Sequence, residues 1–440
     1  MAHAHDTSPA PSQTRTRVVT AASLFDGHDA AINIMRRLLQ QLGAEVIHLG
    51  HNRSVADIVK AGIEEDAHAI AVSSYQGGHN EFFRYMVTLL DQDGCNDIKV
   101  FGGGGGVIIP DEIRALHADG VERIYSPEDG RRMGLEGMIA DMLERSQSDH
   151  TLDWCFDAQA VRDGHRPALA RAISLAEAAV HSDTELPQEI QGLMSEGRAR
   201  SVPVVGITGT GGAGKSSLTD ELLRRFLLDR PEERVAIISI DPTRKRTGGA
   251  LLGDRIRMNS ARHERCFVRS LATRQAGVEL SASVEPAIAL AKASGVDVVI
   301  VETSGIGQGS SGITDVSDIH VYVMTPEYGA ASQLEKIDML DFADLVIINK
   351  FDRRGAEDAL RDVAKQVQRN RGAFGVSPET MPVYGTIASQ YNDLGVDAAY
   401  LALMAAVDER RGHSHVSKIP DPGVRCSPPQ RRIIPPGRLR

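Results

Sequence analysis

Two α/β domains, each a doubly wound parallel sheet, joined by a helical connector, are predicted by three features of the chain. Short apolar runs alternate with amphipathic helical segments through residues 18–147, the pitch of strand–helix–strand units. The alternation restarts at residue 201, where an apolar run feeds the glycine-rich stretch VVGITGTGGAGKSSL, 204–218. Between them, 148–200 is charged and helical, broken at Gly164, Pro167 and Pro187.

Residues 1–17 hold no apolar core, which argues against a secretory signal and for a short disordered arm. A strand is expected over 18–24, then a turn at Asp26-Gly27-His28-Asp29 and a helix over 30–42, with Ile34, Leu38 and Leu42 at helical spacing. Strands follow at 44–49, 69–74, 98–101 and 120–125, and helices at 55–65, through Leu90, at 110–118 and at 130–144. In the connector, 166–179 is the clearest helix, and Leu169, Ile173 and Leu175 can form an apolar face that packs on the second domain. That domain, 201–412, has strands at 204–207, 235–240, 296–301, 319–323, 345–348 and 383–386, and a helix at 217–226. Beyond 412 the chain turns rich in Pro and Arg, a tail that does not fold alone.

Composition excludes several classes of function. A net charge of −10 disfavours nucleic acid and anionic membrane as partners. The four cysteines, Cys95, Cys155, Cys266 and Cys426, lie too far apart for a Cys-x-x-Cys metal site or a dense disulfide framework, as suits a reducing cytoplasm. No apolar run reaches membrane-spanning length.

The stretch Gly209–Ser216 fits G-x-x-x-x-G-K-S. Glycines let backbone N–H groups turn toward phosphate oxygens, and the helix start adds partial positive charge. Lys215 is placed to reach the terminal phosphates and Ser216 to hold magnesium. Asp241, in DPTR, and Glu302, in DVVIVETSG, close predicted strands, and carboxylates there suit magnesium, which takes oxygen ligands. Gly305 lets that loop move toward a γ-phosphate. Asn349-Lys350-Phe351-Asp352 follows a strand and matches N-K-x-D. The Asp352 carboxylate can accept both the guanine ring N–H and its amino group, and adenine would leave it unpaired, which favours GTP over ATP. Thr386-Ile387-Ala388-Ser389 is the candidate last base-contacting loop.

In the first domain His28 lies past the first strand, where open α/β sheets bind ligands, and Ser73, Ser74 and Gly102–Gly106 line loops whose small residues leave a slot. Asp26 can hold one ring nitrogen of His28 and so free the other for a metal.

Asp26-Gly27-His28, Ser73-Ser74-Tyr75 and Gly105-Gly106 resemble the D-x-H-x-x-G, S-x-L, G-G pattern of the cobalamin-binding domains of acyl-CoA mutases. Ala31 stands where that pattern has glycine and Tyr75 where it has leucine. The second domain resembles the MeaB-type GTPases that chaperone such mutases, with Glu302 in place of the aspartate of ordinary small GTPases. The order of parts, and the phrases FDGHDAAINIMRR, DPTRKRTGGALLGDRIRM and MTPEYGAASQLEKIDMLDFAD, are similar to the fused isobutyryl-CoA mutases over most of 18–412. That family continues into a linker and a barrel domain. Here the chain stops at Arg440, and Ile433-Ile434-Pro435-Pro436 looks like the entry to that linker.

The resemblance implies adenosylcobalamin as cofactor, with His28 as lower axial ligand of cobalt and Asp26, Ser73, Gly105 and Gly106 beside it. It implies GTP contacts at Gly212, Ala213, Gly214, Lys215, Ser216, Ser217, Arg257, Asn349, Lys350, Phe351 and Asp352. Magnesium would meet Ser216, Asp241, Asp254, Glu302 and Thr303, with the Ile240 carbonyl nearby, and Lys215, Glu302 and Arg257 would serve hydrolysis. It also implies a mutase barrel as partner, a homodimer formed through the GTPase domain, and hydrolysis that gates cofactor loading. A self-standing chaperone for a separate mutase subunit, or a cobalamin sensor, stays open.

Overall fold

The computed structural model describes residues 15–24, 26–27, 29–147, 156–182, 185–244, 247–274, 280–305, 312–329 and 331–428. In chain order the first strands and helices are β1 (Arg17–Ser23), α1 (Asp29–Gln41), β2 (Glu45–Arg53), α2 (Val55–Glu64), β3 (Ala69–Ser73) and α3 (His79–Gln92). Then come β4 (Lys99–Gly103), α4 (Pro110–Ala118), β5 (Arg123–Tyr125), α5 (Pro127–Arg145), α6 (Ala158–Arg162), α7 (Arg166–Ser182) and α8 (Gln188–Ala199). The phosphate-loop half opens with β6 (Val204–Gly209), α9 (Lys215–Asp229), β7 (Val235–Asp241), β8 (Ala250–Leu252), β9 (Cys266–Ala272), α10 (Val284–Ala293) and β10 (Val298–Thr303). It closes with β11 (Ile319–Met324), α11 (Ala331–Leu334), α12 (Met339–Phe342), β12 (Leu345–Asn349), α13 (Ala356–Asn370), β13 (Val383–Thr386) and α14 (Leu394–Arg411).

The chain divides into two compact units. One takes Met1–Ala199, Thr243–Gly253 and Ala282–Ser294; the other takes the rest. The first unit's sheet runs β5-β4-β3-β1-β2-β8 and every pairing in it is parallel. Parallel strands need cover on both faces, and β1 and β3 are accordingly buried throughout. The order in which strands are added reverses between β1 and β3, so the crevice beyond their carboxyl ends is a topological switch point. Ser126 caps α5 by accepting the Asp129 N–H, with Pro127 at its first position.

The connector belongs to this first unit. Its helix α7 packs on α2, and both α7 and α8 pack on α10. Buried Arg17 fastens α7 to the sheet: its Nη2 donates to Glu45 Oε2 at 2.9 Å and to Glu177 Oε2 at 3.2 Å, and its Nη1 to the Glu65 carbonyl at 3.0 Å. Burial alone would lower the Arg17 pKa, but the Glu177 and Glu45 carboxylates outweigh it and the net shift is upward. Where α8 crosses α10, a Cβ on Gly197 would sit on the Ala289 carbonyl. Gly197→Val is therefore expected to cost about 1–3 kcal/mol or more, because backbone cannot yield as a side chain can. Denaturant unfolding checks this, and an unchanged midpoint would refute the close crossing.

The second unit is the sheet β13-β12-β11-β6-β10-β7-β9, parallel throughout. Its core joins Val205, Ile207, Leu218, Leu222, Val321, Ile347 and Tyr400. Two strands depart from the sequence expectation. β9 carries Arg269, fully buried in mid-strand, and β8 is only three residues long and pairs in the first unit, Glu45 opposite Ala250 and Ile47 opposite Leu252. Residues 413–428, expected as the start of a tail, lie in the second unit; Gly385 N–H donates to the Arg425 carbonyl at 3.1 Å.

Candidate functional site

Two sites form, one in each unit. In the second, β6 ends at Gly209, and the turn into α9 is built from positive-φ glycines, Gly212 at 73° and Gly214 at 86°. A Cβ on Gly209 would strike the Val323 carbonyl of β11, and one on Gly214 would lie 2.7 Å from Asn349 Nδ2. Glycine is needed at both. Ala213 is fully buried beneath the loop, and Ser217 follows Ser216 in the first turn of α9. Lys215 is buried, and its Nζ donates to the carbonyls of Gly209 at 3.2 Å and Thr210 at 3.3 Å. Gly305, φ 68°, comes so close that a Cβ there would meet Lys215 Nζ.

Ser216 Oγ lies 2.9 Å from Asp254 Oδ1 and 2.8 Å from Glu302 Oε1. One hydroxyl has one proton to give, so both contacts are satisfied only by a proton on one carboxyl or by a cation between them. Burial, and then the facing Asp254 carboxylate, push the Glu302 carboxyl well above its ordinary 4.5. Two carboxylates and a hydroxyl are an all-oxygen set, the donor chemistry that magnesium takes. Ser239, the register partner of Glu302 on β7, and Thr210 and Ser304 each keep a buried hydroxyl without a partner. Polar atoms left so in a packed interior are expected where a polar ligand binds. Thr210 and Ser304 sit inside stretches the sequence singles out, but nothing in their spacing marks them, and Ser239 carries no sequence signal.

The other residues expected near the metal lie on the same strands or beside them. Thr303 Oγ1 donates to Thr208 Oγ1 at 2.8 Å and ties β10 to β6. Ile240 is an inner-strand residue opposite Thr303 and Leu271. Asp241 ends β7, its carbonyl accepting the Thr273 N–H at 3.1 Å. Among the described residues no group of three or more His, Cys, Asp or Glu forms that can hold a metal. Arg257 is exposed, its Nη1 3.4 Å from Asp254 Oδ1.

Behind the phosphate loop the N-K pair acts as a brace. Asn349 Nδ2 donates to the Ala213 carbonyl at 2.8 Å, and Lys350, at a left-handed φ of 59°, donates to the Gly212 carbonyl at 2.6 Å. Asn349 Oδ1 in turn accepts from Thr386 Oγ1 and from the Ala388 N–H, both at 3.1 Å. The loop 386–388 is thus bonded to the brace. Phe351 packs over Gly385, and Asp352 is exposed.

In the first unit, the loops after β1 and β3 meet at the switch point. Asp26 is buried, and its Oδ2 accepts the Tyr75 N–H at 2.7 Å; Ser23 Oγ donates to Ser74 Oγ at 3.1 Å. His28 lies outside the described residues, so its expected bond to Asp26 does too. Beneath these loops a cavity of about 300 Å³ opens between the sheet and helices α1 and α5. Thr20, Ala31, Ser73, Tyr75, Gly105 and Met138 are among its lining, so both positions that depart from the resembled pattern face it. Gly104 and Gly105 admit no Cβ: one would meet the Ser74 carbonyl, the other the Tyr75 ring. Gly106 also holds a positive φ, 103°. Ser73 Oγ is buried there without a partner. An apolar slot with one orphaned hydroxyl fits an aromatic base with a polar ring atom, the shape of a cobalamin tail.

Comparisons with known proteins give relatives for both units. The family described as methylmalonyl-CoA mutase-associated GTPase MeaB matches residues 169–396. A B12 binding domain matches residues 16–129. The fused isobutyryl-CoA mutase of Cupriavidus metallidurans is 58% identical over 427 residues, 97% of this chain and 39% of that protein. The fused isobutyryl-CoA mutase of Geobacillus kaustophilus is 56% identical over 90% of this chain and 37% of that protein. The chain thus spans about two fifths of the length of these relatives. A solved LAO/AO transport system kinase is similar at 24% identity and a TM-score of 0.40, over 58% of this chain and 76% of that one. Among the described residues no helix is long and apolar enough to cross a membrane.

Proposed function

The chain belongs to the MeaB family of methylmalonyl-CoA mutase-associated GTPases, and from that premise we propose that it is the cobalamin-binding and GTP-hydrolysing portion of an adenosylcobalamin-dependent acyl-CoA mutase. One observation carries the proposal. A single chain holds a phosphate loop with an acidic pair on its serine, and a tail-shaped cavity with an orphaned hydroxyl at a switch point.

In the second unit Gly212–Ser217 cradle the phosphates, Lys215 meets the terminal ones, and Asp352 reads the guanine. Ser216, Asp254 and Glu302, with Asp241, Thr303 and the nearby Ile240 carbonyl, would hold magnesium, which would neutralise charge on the phosphate oxygens. Arg257, exposed at the rim, swings onto the nucleotide. In the first unit His28 would ligate the cobalt and Ser73 would bond the cofactor's base. Cobalamin, when bound, supplies a cobalt–carbon bond whose homolysis begins a radical rearrangement. This chain's residues orient the cofactor, exclude water from its tail and release it under control of GTP hydrolysis. The partner is a mutase barrel that converts isobutyryl-CoA to n-butyryl-CoA. The GTPase unit pairs as a homodimer, in the cytoplasm, where the buried thiols of Cys95 and Cys266 stay reduced.

The test is a cobalamin titration followed by absorbance, with GTP, with GDP and with neither. A base-off, histidine-ligated spectrum is expected, with an affinity that differs between GTP and GDP. In His28→Ala the protein nitrogen coupling should vanish from the cob(II)alamin spin-resonance spectrum. No cobalamin binding in any nucleotide state would overturn the proposal.

A further inference from the structure

We propose that the segment 425–427 is part of the nucleotide-base site, and that Ser427, acting through Asp393, positions the loop 386–389 against the base. This rests on the guanine assignment of Asn349–Asp352 above. After α14 the chain returns along the second unit and lies beside β13 as a short strand-like segment held by one isolated bridge. The Gly385 N–H donates to the Arg425 carbonyl at 3.1 Å, the Ser427 N–H donates to the Gly385 carbonyl at 2.9 Å, and Cys426 bridges Gly385 in parallel sense. Arg425 fastens this segment from its side chain, donating to the carbonyls of Met381 at 2.6 Å and Glu379 at 3.0 Å.

Ser427 is 4% exposed, and its hydroxyl donates to Asp393 Oδ2 at 2.7 Å. The same oxygen accepts the Val396 N–H at 3.0 Å, which caps α14, and the Ile387 N–H at 3.1 Å. The next residue along, Ala388, donates its N–H to Asn349 Oδ1. A continuous run of hydrogen bonds therefore leads from Ser427 through Asp393 and the loop to the first residue of the N-K-x-D motif. Packing leaves the segment no slack, since a Cβ on Gly395 would lie 2.6 Å from Ser427 Oγ and would strike the Gly385 carbonyl. Ser427 and Pro428 also line one cleft, of about 410 Å³, together with Asp352, Phe351 and Ile387.

Without the Ser427 hydroxyl, one of three donors on a buried carboxylate is lost, and Asp393 is free to shift with the loop it holds. The phosphate loop meets this run only at its far end, where Asn349 Nδ2 donates to the Ala213 carbonyl, and Lys350 holds Gly212 independently of Asp393. The effect should fall on base recognition and spare phosphate binding.

The experiment measures GDP and ADP affinity on the full chain, wild type and Ser427→Ala. GDP affinity is expected to fall roughly fivefold to tenfold, the loss of one such hydrogen bond, with ADP affinity unchanged, so the GDP preference falls by the same factor. Equal weakening of both nucleotides, or an unchanged GDP affinity, overturns the proposal. Should Ser427→Ala melt below the assay temperature, Arg425→Ala loosens the same segment without touching Asp393. It is expected to give the same selective loss, and an intact preference there overturns the proposal as well. A wild-type chain with no preference for GDP over ADP would instead remove the guanine assignment, and this proposal with it.

Discussion

Lys215→Ala is expected to lower GTP turnover by about 10²–10³-fold or more while the fold persists. The lysine is only 7% exposed, and its ammonium sits over the carbonyls of Gly209 and Thr210 at the base of the loop. In the proposed reaction it moves from there onto a phosphate oxygen, where charge builds as the γ-phosphoryl group leaves. Alanine removes that charge, and in a buried site no water of equal charge replaces it. The same change leaves the first unit untouched, so cobalamin binding measured without nucleotide should equal that of the wild type. Phosphate release at saturating GTP, with a thermal melt as control, checks the prediction. Turnover within a few fold of wild type would detach Lys215 from the chemistry.

Ala31→Phe is expected to weaken cobalamin at least about 100-fold, near 2.7 kcal/mol, with GTP turnover intact. Ala31 lies early in α1 and faces the 300 Å³ cavity beneath the switch-point loops. A phenyl ring there occupies space the cofactor tail needs, and it does so among Met35, Leu39 and Ile139, which welcome it. The chain therefore keeps its fold and loses its ligand. An absorbance titration reads the result; wild-type affinity would show that the tail lies elsewhere.

Much of this molecule is written locally. The phosphate loop is legible because its glycines, lysine and serine are contiguous and each answers to one requirement of a phosphate. The strands are legible where both faces are apolar, as in Val204–Gly209 and Leu345–Asn349. Cys266–Ala272 escapes notice because Arg269 interrupts its apolar run, although that side chain is wholly buried. Ala250–Leu252 is too short to carry a pattern, and the partner that makes it a strand, Glu45–Ile47, lies far upstream. The acidic pair is half visible: Glu302 closes an apolar strand, whereas Asp254 opens a short 3₁₀ turn and gains its meaning only at Ser216. Asp393 has a helix-start signature, but its hold on the loop 386–388 depends on a contact across the fold.

The sheet whose last strand is Ala250–Leu252, and the helices α7 and α8 that rest on α10, have a consequence for heredity. A recombination break at residue 199 would yield a polypeptide whose Glu45–Ile47 edge has no neighbour, an open template for another chain, and whose two helices show their apolar faces to water. Such an offspring would aggregate before it could be selected. Genes in which these halves have met are expected to travel together, because the later part of the coding sequence completes a fold begun in the earlier.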